Sequence, residues 1–227
     1  MNFSYTLETP IMNTMKSLLA TAIAASALSV PAMADVEVAA SVGIASAYLW
    51  RGQDLGNGSP AVSGDIVASS GGAYGGIWGS SGDDSLGNEY DLFAGYGTEL
   101  GDVSVDISVW NYLYPDSGES QGTFGDLSEV ILSVGFGPVA VTYYDNVAGA
   151  TGYSYLTVGA EFGAFSATYG TTSNDDSDDD YAHLDLGYSY NDNLSFTLSQ
   201  VVDQDDNQGV DDDLNFVVSY SIPLGEM

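Results

Sequence analysis

Apolar residues alternate with small or polar residues through most of the chain beyond residue 34, where no stretch keeps a helical period. In the first such segment, one parity is apolar (Val36, Val38, Ala40, Val42, Ile44, Tyr48 and Trp50). The other parity carries one carboxylate and small residues (Glu37, Ala39, Ser41, Gly43, Ala45 and Ala47). Because successive side chains of a strand point to opposite faces, this pattern predicts strands with one apolar face and one polar or small-residue face.

The alternation predicts an all-β chain of about twelve strands (36–50, 60–69, 73–80, 88–98, 102–114, 126–136, 138–145, 152–162, 165–172, 181–190, 194–202 and 213–222). Tight turns rich in Gly and Asn alternate with longer polar loops between these strands. Short turns on one side, long loops on the other and an even strand count are typical of a transmembrane antiparallel up-and-down β-barrel. Both ends of the barrel domain then fall on the short-turn side.

A soluble sandwich or lipocalin-like barrel also alternates, but it buries its apolar face. Two features favour a membrane barrel here. The less apolar face lacks the lysines that usually cover a soluble surface. Aromatic residues also lie near strand ends, as an interfacial girdle requires (Tyr48, Trp50, Tyr90, Tyr96, Tyr169, Tyr188 and Tyr190).

The first 34 residues have the pattern of a signal peptide. Lys16 precedes an Ala- and Leu-rich run, and Ala32-Met33-Ala34 supplies the small residues of a cleavage site. The apolar run is shorter than the roughly 20 residues of a membrane-spanning helix. We therefore expect a signal peptide over 1–34, with 1–14 as a possible upstream extension, and a barrel domain over 35–227.

The composition excludes several classes of partner and site. The chain has 2 basic and 32 acidic residues and a net charge of −30, and Arg51 is the one basic residue outside the expected signal peptide. Such a surface cannot neutralise phosphates, so nucleic acid is excluded as a partner. There is no cysteine, hence no disulfide and no thiolate metal site. Acidic surfaces are also common in proteins from salty environments, so charge alone does not identify a cation pathway.

Three short motifs carry a family resemblance: Tyr48-Leu49-Trp50-Arg51-Gly52, then Pro60-Ala61, then Tyr74-x-Gly76-x-Trp78-x-Ser80. Together they resemble the TorF-type porin family of proteobacteria. The motifs cover about the first quarter of the barrel domain, and the later strands agree with the family in style only. The resemblance implies an outer-membrane location and a passive pore, without naming a solute.

The Tyr48–Gly52 motif lies where a long predicted strand meets a Gly- and Asn-rich loop, so we expect Tyr48, Trp50 and Arg51 at the outer mouth of the pore. Arg51 follows the inward parity of its strand. A guanidinium pairs readily with carboxylates through its planar fork of donors. Arg51 is therefore predicted either to fix a loop at the mouth of an acidic pore or to form an ion pair with no role in transport.

Placing the apolar parity outward sends a set of ionisable residues into the lumen: Glu37, Asp65, Asp91, Asp106, Glu129, Glu161 and Asp185, together with His183. A charge on the lipid face would cost about 2–4 kcal/mol near the membrane midplane, which favours this orientation. A lumen rich in carboxylates favours cations. The alternative is a plugged interior in which these acids form closed networks with Tyr and Ser hydroxyls.

Motifs for metal binding or catalysis are weak. Asp203-x-Asp205-x-Asn207 resembles the start of an EF-hand loop, but it lacks the glycine at position six and the closing glutamate. Gly118-Glu119-Ser120-Gln121-Gly122 matches G-x-S-x-G outside the strand-turn-helix setting of a nucleophile elbow. His183 and Asp185 share a face and could in principle activate water. We expect no catalytic residues, no metal site and no cofactor.

The sequence thus predicts a barrel in the bacterial outer membrane, surrounded by lipid and lipopolysaccharide, that lets small solutes diffuse with a preference for cations. One alternative is a non-conducting anchor whose acidic loops serve adhesion or cation binding. A further alternative is an outer-membrane hydrolase.

Overall fold

The computed structural model describes residues 36–117, 122–149, 151–175, 180–204 and 210–226. Within them lie fourteen strands: β1 Glu37–Ala45, β2 Leu49–Trp50, β3 Gln53–Asp54, β4 Ala61–Ser70, β5 Ala73–Asp83, β6 Gly87–Leu100, β7 Val103–Leu113, β8 Leu127–Phe136, β9 Val139–Ala148, β10 Tyr153–Phe162, β11 Phe165–Asn174, β12 Tyr181–Ser189, β13 Leu194–Gln204 and β14 Asn215–Glu226. No helix in these residues has the length and hydropathy needed to cross a membrane.

Twelve of the strands form one closed antiparallel barrel in the order β1-β14-β13-β12-β11-β10-β9-β8-β7-β6-β5-β4. β1 closes the sheet because it pairs with β14 on one side and with β4 on the other. The predicted all-β barrel of twelve strands is confirmed. Closure leaves no edge strand in this sheet, so no row of backbone donors and acceptors is left unpaired.

The two ends of the barrel differ. At one end, the turn end, tight turns near residues 71–72, 101–102, 137–138, 163–164 and 190–193 join the strands. At the other, the loop end, longer segments join them. The predicted alternation of turns and loops is therefore present, and eleven of the predicted strands agree with the barrel strands to within four residues at each end.

The first predicted strand, 36–50, is wrong beyond Ala45. The chain bends at Ser46 and Ala47 and then forms a small hairpin of β2 and β3, in which Leu49 pairs with Asp54 and Trp50 with Gln53. In the sequence, the apolar parity is interrupted only at Ser46 and resumes at Tyr48 and Trp50, so the bend is weakly marked. The hairpin does not extend the wall, and its residues pack against inward-facing side chains of the barrel.

The outer surface is an apolar band. Large apolar side chains of one parity point outward and are exposed on every barrel strand, as Ile44, Ile66, Val109, Leu132 and Val158 illustrate. Aromatic residues flank the band toward the turn end (Tyr96, Phe136, Phe162, Phe165, Tyr188, Tyr190 and Tyr220) and nearer the loop end (Tyr90, Tyr143, Tyr169 and Phe216). Tyr48 and Trp50 do not belong to this girdle, contrary to prediction, because the bend at Ser46 turns them inside.

The interior is unevenly filled. Aromatic side chains of β5, β6 and β7 form a buried cluster in which Phe93 stacks on Trp110 at 4.3 Å between ring centroids. The inward positions toward the turn end of β9 to β14, β1 and β4 carry mainly Ser, Thr and Gly, many of them half-buried. We call this less filled part of the lumen the vestibule. The hairpin lies at its loop end, and the aromatic cluster lies beside it on β5, β6 and β7.

Candidate functional site

The hairpin is held inside the barrel by its turn. Arg51 and Gly52 are the two central residues of the turn and have φ values of 47° and 85°. Positive φ at both positions is the pattern of a type I′ turn, which joins two antiparallel strands tightly. Glycine adopts such angles freely, whereas an arginine there is strained by a cost of order 1–3 kcal/mol. Contacts of the Arg51 side chain must offset that strain.

Arg51 forms a buried ion pair with Glu129 of β8. One terminal nitrogen, Nη2, lies 2.7 Å from both carboxylate oxygens, and the two side chains are only 3% and 4% exposed. The hydroxyl of Tyr112 donates to the same carboxylate at 2.7 Å. Burial alone would lower the pKa of Arg51, but the charge of Glu129 and its hydrogen bond, together with Tyr153 and Tyr112, raise that pKa. The guanidinium therefore stays charged.

Four aromatic rings surround the guanidinium. Its central carbon, Cζ, lies 4.4 Å from the ring centre of Trp50, 5.0 Å from Tyr144, 5.3 Å from Tyr153 and 4.6 Å from Tyr155. All lie within the range of a cation–π contact, which strengthens when the cation is removed from water. We call Glu129, Tyr144, Tyr153 and Tyr155 the wall site, because all four belong to the barrel wall.

The backbone of the hairpin is tied down as well. Tyr181 donates its hydroxyl to the carbonyl oxygen of Arg51 at 2.9 Å. The side-chain amide of Gln53 donates to the carbonyl of Asp211 and accepts from its N–H, both at 3.1 Å. The hairpin is thus anchored to β12 and to the segment before β14.

His183 packs against the turn of the hairpin. Its ring is 1% exposed, with Nδ1 2.9 Å from Asp185 Oδ1 and Nε2 2.6 Å from the Tyr155 hydroxyl. Both ring nitrogens are therefore engaged. Gly52 lies directly against this ring, where a Cβ on residue 52 would come within 2.6 Å of His183 Cβ and Cγ. The arrangement makes His183 a structural contact of the hairpin.

A second buried carboxylate group lies beside the hairpin. Glu89 accepts hydrogen bonds from the hydroxyls of Tyr48 and Tyr114, the latter at 2.6 Å. Asp91 follows on the same face of β6 and is 1% exposed, with its Oδ1 buried and lacking a hydrogen-bond partner. Burial, and next the charge of Glu89, raise the pKa of Tyr48 and of Tyr114, so both phenols remain donors.

The two hydrogen bonds that Glu89 accepts should contribute measurably to the free energy of unfolding. We expect Tyr48→Phe and Tyr114→Phe each to raise the free energy of the folded state by about 1–3 kcal/mol, because each leaves a buried carboxylate oxygen without its donor. Urea unfolding followed by tryptophan fluorescence measures the loss. Tyr143→Phe is the matched control, since Tyr143 is exposed on the outer face. Equal stability of all three variants would contradict this assignment.

The other predicted lumen residues are more open. Asp65 accepts from the Ser41 hydroxyl, and Asp106 accepts from the Tyr74 hydroxyl at 2.9 Å. Asp65, Glu161 and Asp185 are half-buried along the vestibule, and Glu37 is exposed at the start of β1. All these residues have the inward parity. The structure brings Arg51, Glu129 and His183 together, and it leaves Glu37, Asp65 and Glu161 apart from them.

Sequence reasoning missed Glu89 and the tyrosines that serve the carboxylates. Glu89 has the same parity as Asp91 in the same predicted strand, so the signal was available. Tyr112, Tyr114, Tyr155 and Tyr181 also have inward parity, but a tyrosine suits a lipid interface equally well, and the sequence gives no means of choosing. Arg51, in the turn of the hairpin, is buried level with the loop-end residues of the strands.

Other acidic and catalytic motifs contribute little to this site. Asp211, Asp212 and Asp213 have carboxylate oxygens within 4.8 Å of one another, but all three are exposed, as solvated acidic loops commonly are. Most of the G-x-S-x-G motif (118–121) and part of the EF-hand-like stretch (205–209) lie outside the described residues, as does the expected signal peptide.

Comparison with known proteins gives a family. The model of the Gcw_chp family, described as a bacterial protein of unknown function, matches residues 30–223. The chain belongs to the Gcw_chp family. A search of curated proteins finds no match for it. The match spans the whole barrel except the last residues of β14, so the barrel and its hairpin are the structure of a Gcw_chp domain.

Proposed function

We propose that this Gcw_chp chain is an outer-membrane channel for small solutes, narrowed by its inserted hairpin and selective for cations. The observation that carries the proposal is a closed barrel whose outer face is apolar and whose vestibule bears carboxylates. Only a closed barrel or a helix satisfies its backbone hydrogen bonds within lipid. The apolar band between two sets of aromatic residues suits a bilayer. The resemblance to TorF-type porins supports the same location, with lipid and lipopolysaccharide as surroundings.

The charge of the lumen supports cation preference. Asp65, Glu161 and Asp185 line the vestibule half-buried, and the one inward arginine is already paired with Glu129. Carboxylates inside a wall of low dielectric constant focus a negative potential along the lumen. That potential concentrates cations and repels anions. The vestibule, and not the mouth, is therefore the selective region.

The hairpin limits the size of the solute. It fills the loop-end side of the lumen with Tyr48, Trp50 and Arg51, all of them buried or half-buried. A channel of this kind passes small cations and excludes bulky solutes while the hairpin stays in place. The proposal involves no catalytic step, because the one histidine is 1% exposed and offers no ring nitrogen to a substrate in the lumen.

Single-channel recording in a planar bilayer under a salt gradient tests the proposal. We expect discrete conductance steps whose reversal potential favours cations. Asp65→Asn combined with Glu161→Gln should shift the reversal potential toward zero, because it removes two negative charges from the vestibule.

Asp102→Asn combined with Asp145→Asn is the matched control. Both of those residues are exposed, Asp102 in a turn and Asp145 on the outer parity of β9, so the same change in charge should leave selectivity unchanged. Equal shifts in both double variants would place the selective charge outside the vestibule. Conductance that prefers anions would contradict the proposal.

The alternative is a non-conducting anchor for the acidic loops. The buried ion pair and the aromatic cluster favour it, since together they fill much of the lumen toward the loop end. A folded barrel in vesicles that gives no conductance steps and no ion flux would establish the anchor over the channel.

A further inference from the structure

The surroundings of Arg51 are those of a bound ligand. A carboxylate contacts one edge of the guanidinium, and four aromatic rings enclose it. Three of those rings and the carboxylate belong to the barrel wall, on β8, β9 and β10, so the site does not depend on the hairpin for most of its contacts. Aromatic rings with a carboxylate are a standard arrangement for recognising an organic cation.

The wall site is held in shape by side chains outside it. Tyr112 fixes the carboxylate of Glu129 through a hydrogen bond of 2.7 Å. His183 fixes the hydroxyl of Tyr155 at 2.6 Å and is itself held by Asp185. Gly170 leaves room for this pair, since a Cβ there would collide with both Tyr155 and His183. A site arranged in advance loses less entropy when a ligand binds.

Arg51 fits this site imperfectly. Its Nη1 is buried without a hydrogen-bond partner, and Nη2 alone serves both oxygens of Glu129. The strongest guanidinium–carboxylate geometry uses two nitrogens on two oxygens. The backbone at Arg51 is also strained, with φ at 47°. The tether to the hairpin therefore prevents the guanidinium from taking its best orientation.

We propose that the wall site is a receptor for an exogenous guanidinium-bearing cation, and that Arg51 is a tethered ligand that occupies it while the hairpin narrows the lumen. A free guanidinium can turn so that two of its nitrogens face Glu129, with Tyr144, Tyr153 and Tyr155 against its faces. By taking the place of Arg51, it removes the side-chain anchor of the hairpin, which is then held only by the weaker hydrogen bonds of Tyr181 and Gln53. This inference rests on the proposed channel and deepens it by naming a solute class and the event that widens the lumen.

The site selects a planar guanidinium over other cations. A guanidinium is weakly hydrated and stacks on aromatic rings, whereas an ammonium is compact and strongly hydrated. The acidic vestibule would concentrate either cation, so the discrimination arises at the wall site. Because a tethered ligand acts at an effective concentration in the millimolar range or above, free ligand competes weakly against Arg51. Removing the Arg51 side chain should expose the full affinity.

The test uses Arg51→Asn in the full chain refolded in detergent micelles. Asparagine tolerates positive φ, so this variant keeps the turn and loses only the guanidinium. We expect methylguanidinium to raise its unfolding temperature saturably, at concentrations where methylammonium and urea do nothing. Adding Glu129→Gln should abolish the rise. If Arg51→Asn does not refold, Arg51→Lys keeps a cation in the site, and methylguanidinium should displace it with the same saturable effect.

The outcomes separate this inference from the channel itself, because binding in micelles requires no conductance. Absence of a saturable effect, or an equal effect with Glu129→Gln present, would overturn the receptor whatever the bilayer recordings show. Saturable binding that depends on Glu129 would establish the receptor, even for a barrel that conducts no ions. In bilayers that contain the wild-type protein, an increase of channel open time on addition of methylguanidinium would link the receptor to the channel. A decrease in open time would overturn the proposed release of the hairpin.

Discussion

Replacing Gly52 with alanine is expected to push the hairpin off the wall and to raise single-channel conductance several-fold. The new methyl group would lie 2.6 Å from Cβ and Cγ of His183, which is buried and held at both ring nitrogens. The positive φ of 85° adds strain for any residue with a Cβ. Neither partner can move easily, so the turn must shift and the Arg51 guanidinium with it. Bilayer recording of refolded protein measures the change.

Gly58→Ala provides the matched control for this prediction. Gly58 has a similar φ of 80°, but an added Cβ there meets nothing within 4 Å. It therefore reproduces the backbone strain without the collision, and its conductance should equal that of the wild type. If Gly52→Ala conducts like Gly58→Ala, the packing of Gly52 against His183 does not restrict the lumen.

Removing the carboxylate of Glu129 is expected to cause the largest loss of stability. Glu129→Gln leaves the buried guanidinium of Arg51 without its counter-ion, and breaking a buried pair in this way typically costs about 3–5 kcal/mol. The Tyr112 hydroxyl also loses a charged acceptor. Unfolding in urea measures the loss. Guanidinium chloride is unsuitable as the denaturant, because its cation belongs to the class that we propose the site binds.

A double variant distinguishes the loss of the ion pair from the cost of leaving one buried charge unpaired. Arg51→Gln with Glu129→Gln removes both charges, so its stability should lie well above that of Glu129→Gln alone. Glu161→Gln is a control for the change in residue type, since Glu161 is only half-buried and should lose far less. Additive effects of the two single changes would show that Arg51 and Glu129 are not coupled.

The barrel could be predicted because its two strongest signals are local. Alternation gives each strand its faces, as in Val42 and Ile44 against Ser41 and Gly43, and glycine-rich turns give the strand ends. Isolated acids such as Asp65 and Glu129 add the inward direction, since neither is tolerated in lipid. These rules need no knowledge of which strands meet.

The inserted hairpin could not be predicted by the same rules. The apolar parity from Val36 to Trp50 is interrupted only at Ser46, and a single serine does not distinguish a bend from a strand that continues. The partner of Arg51 lies 78 residues further along the chain, and the sequence predicts seven inward carboxylates that could each pair with Arg51. An Arg-Gly turn is also unusual, because positive φ at the first position normally selects Asn, Asp or Gly. Only long-range packing against Glu129 and the tyrosines makes it favourable.

Because β1 pairs with β14, the barrel can close only after the chain has been synthesised through β14. β1 takes one neighbour, β4, from nearby sequence, but its other partners, such as Tyr220 opposite Ile44, lie near the far end of the chain. Until β14 arrives, the sheet has two open edges, and such edges invite pairing with other chains. A product cut short before Asn215 would therefore never close and would stay a substrate for proteases.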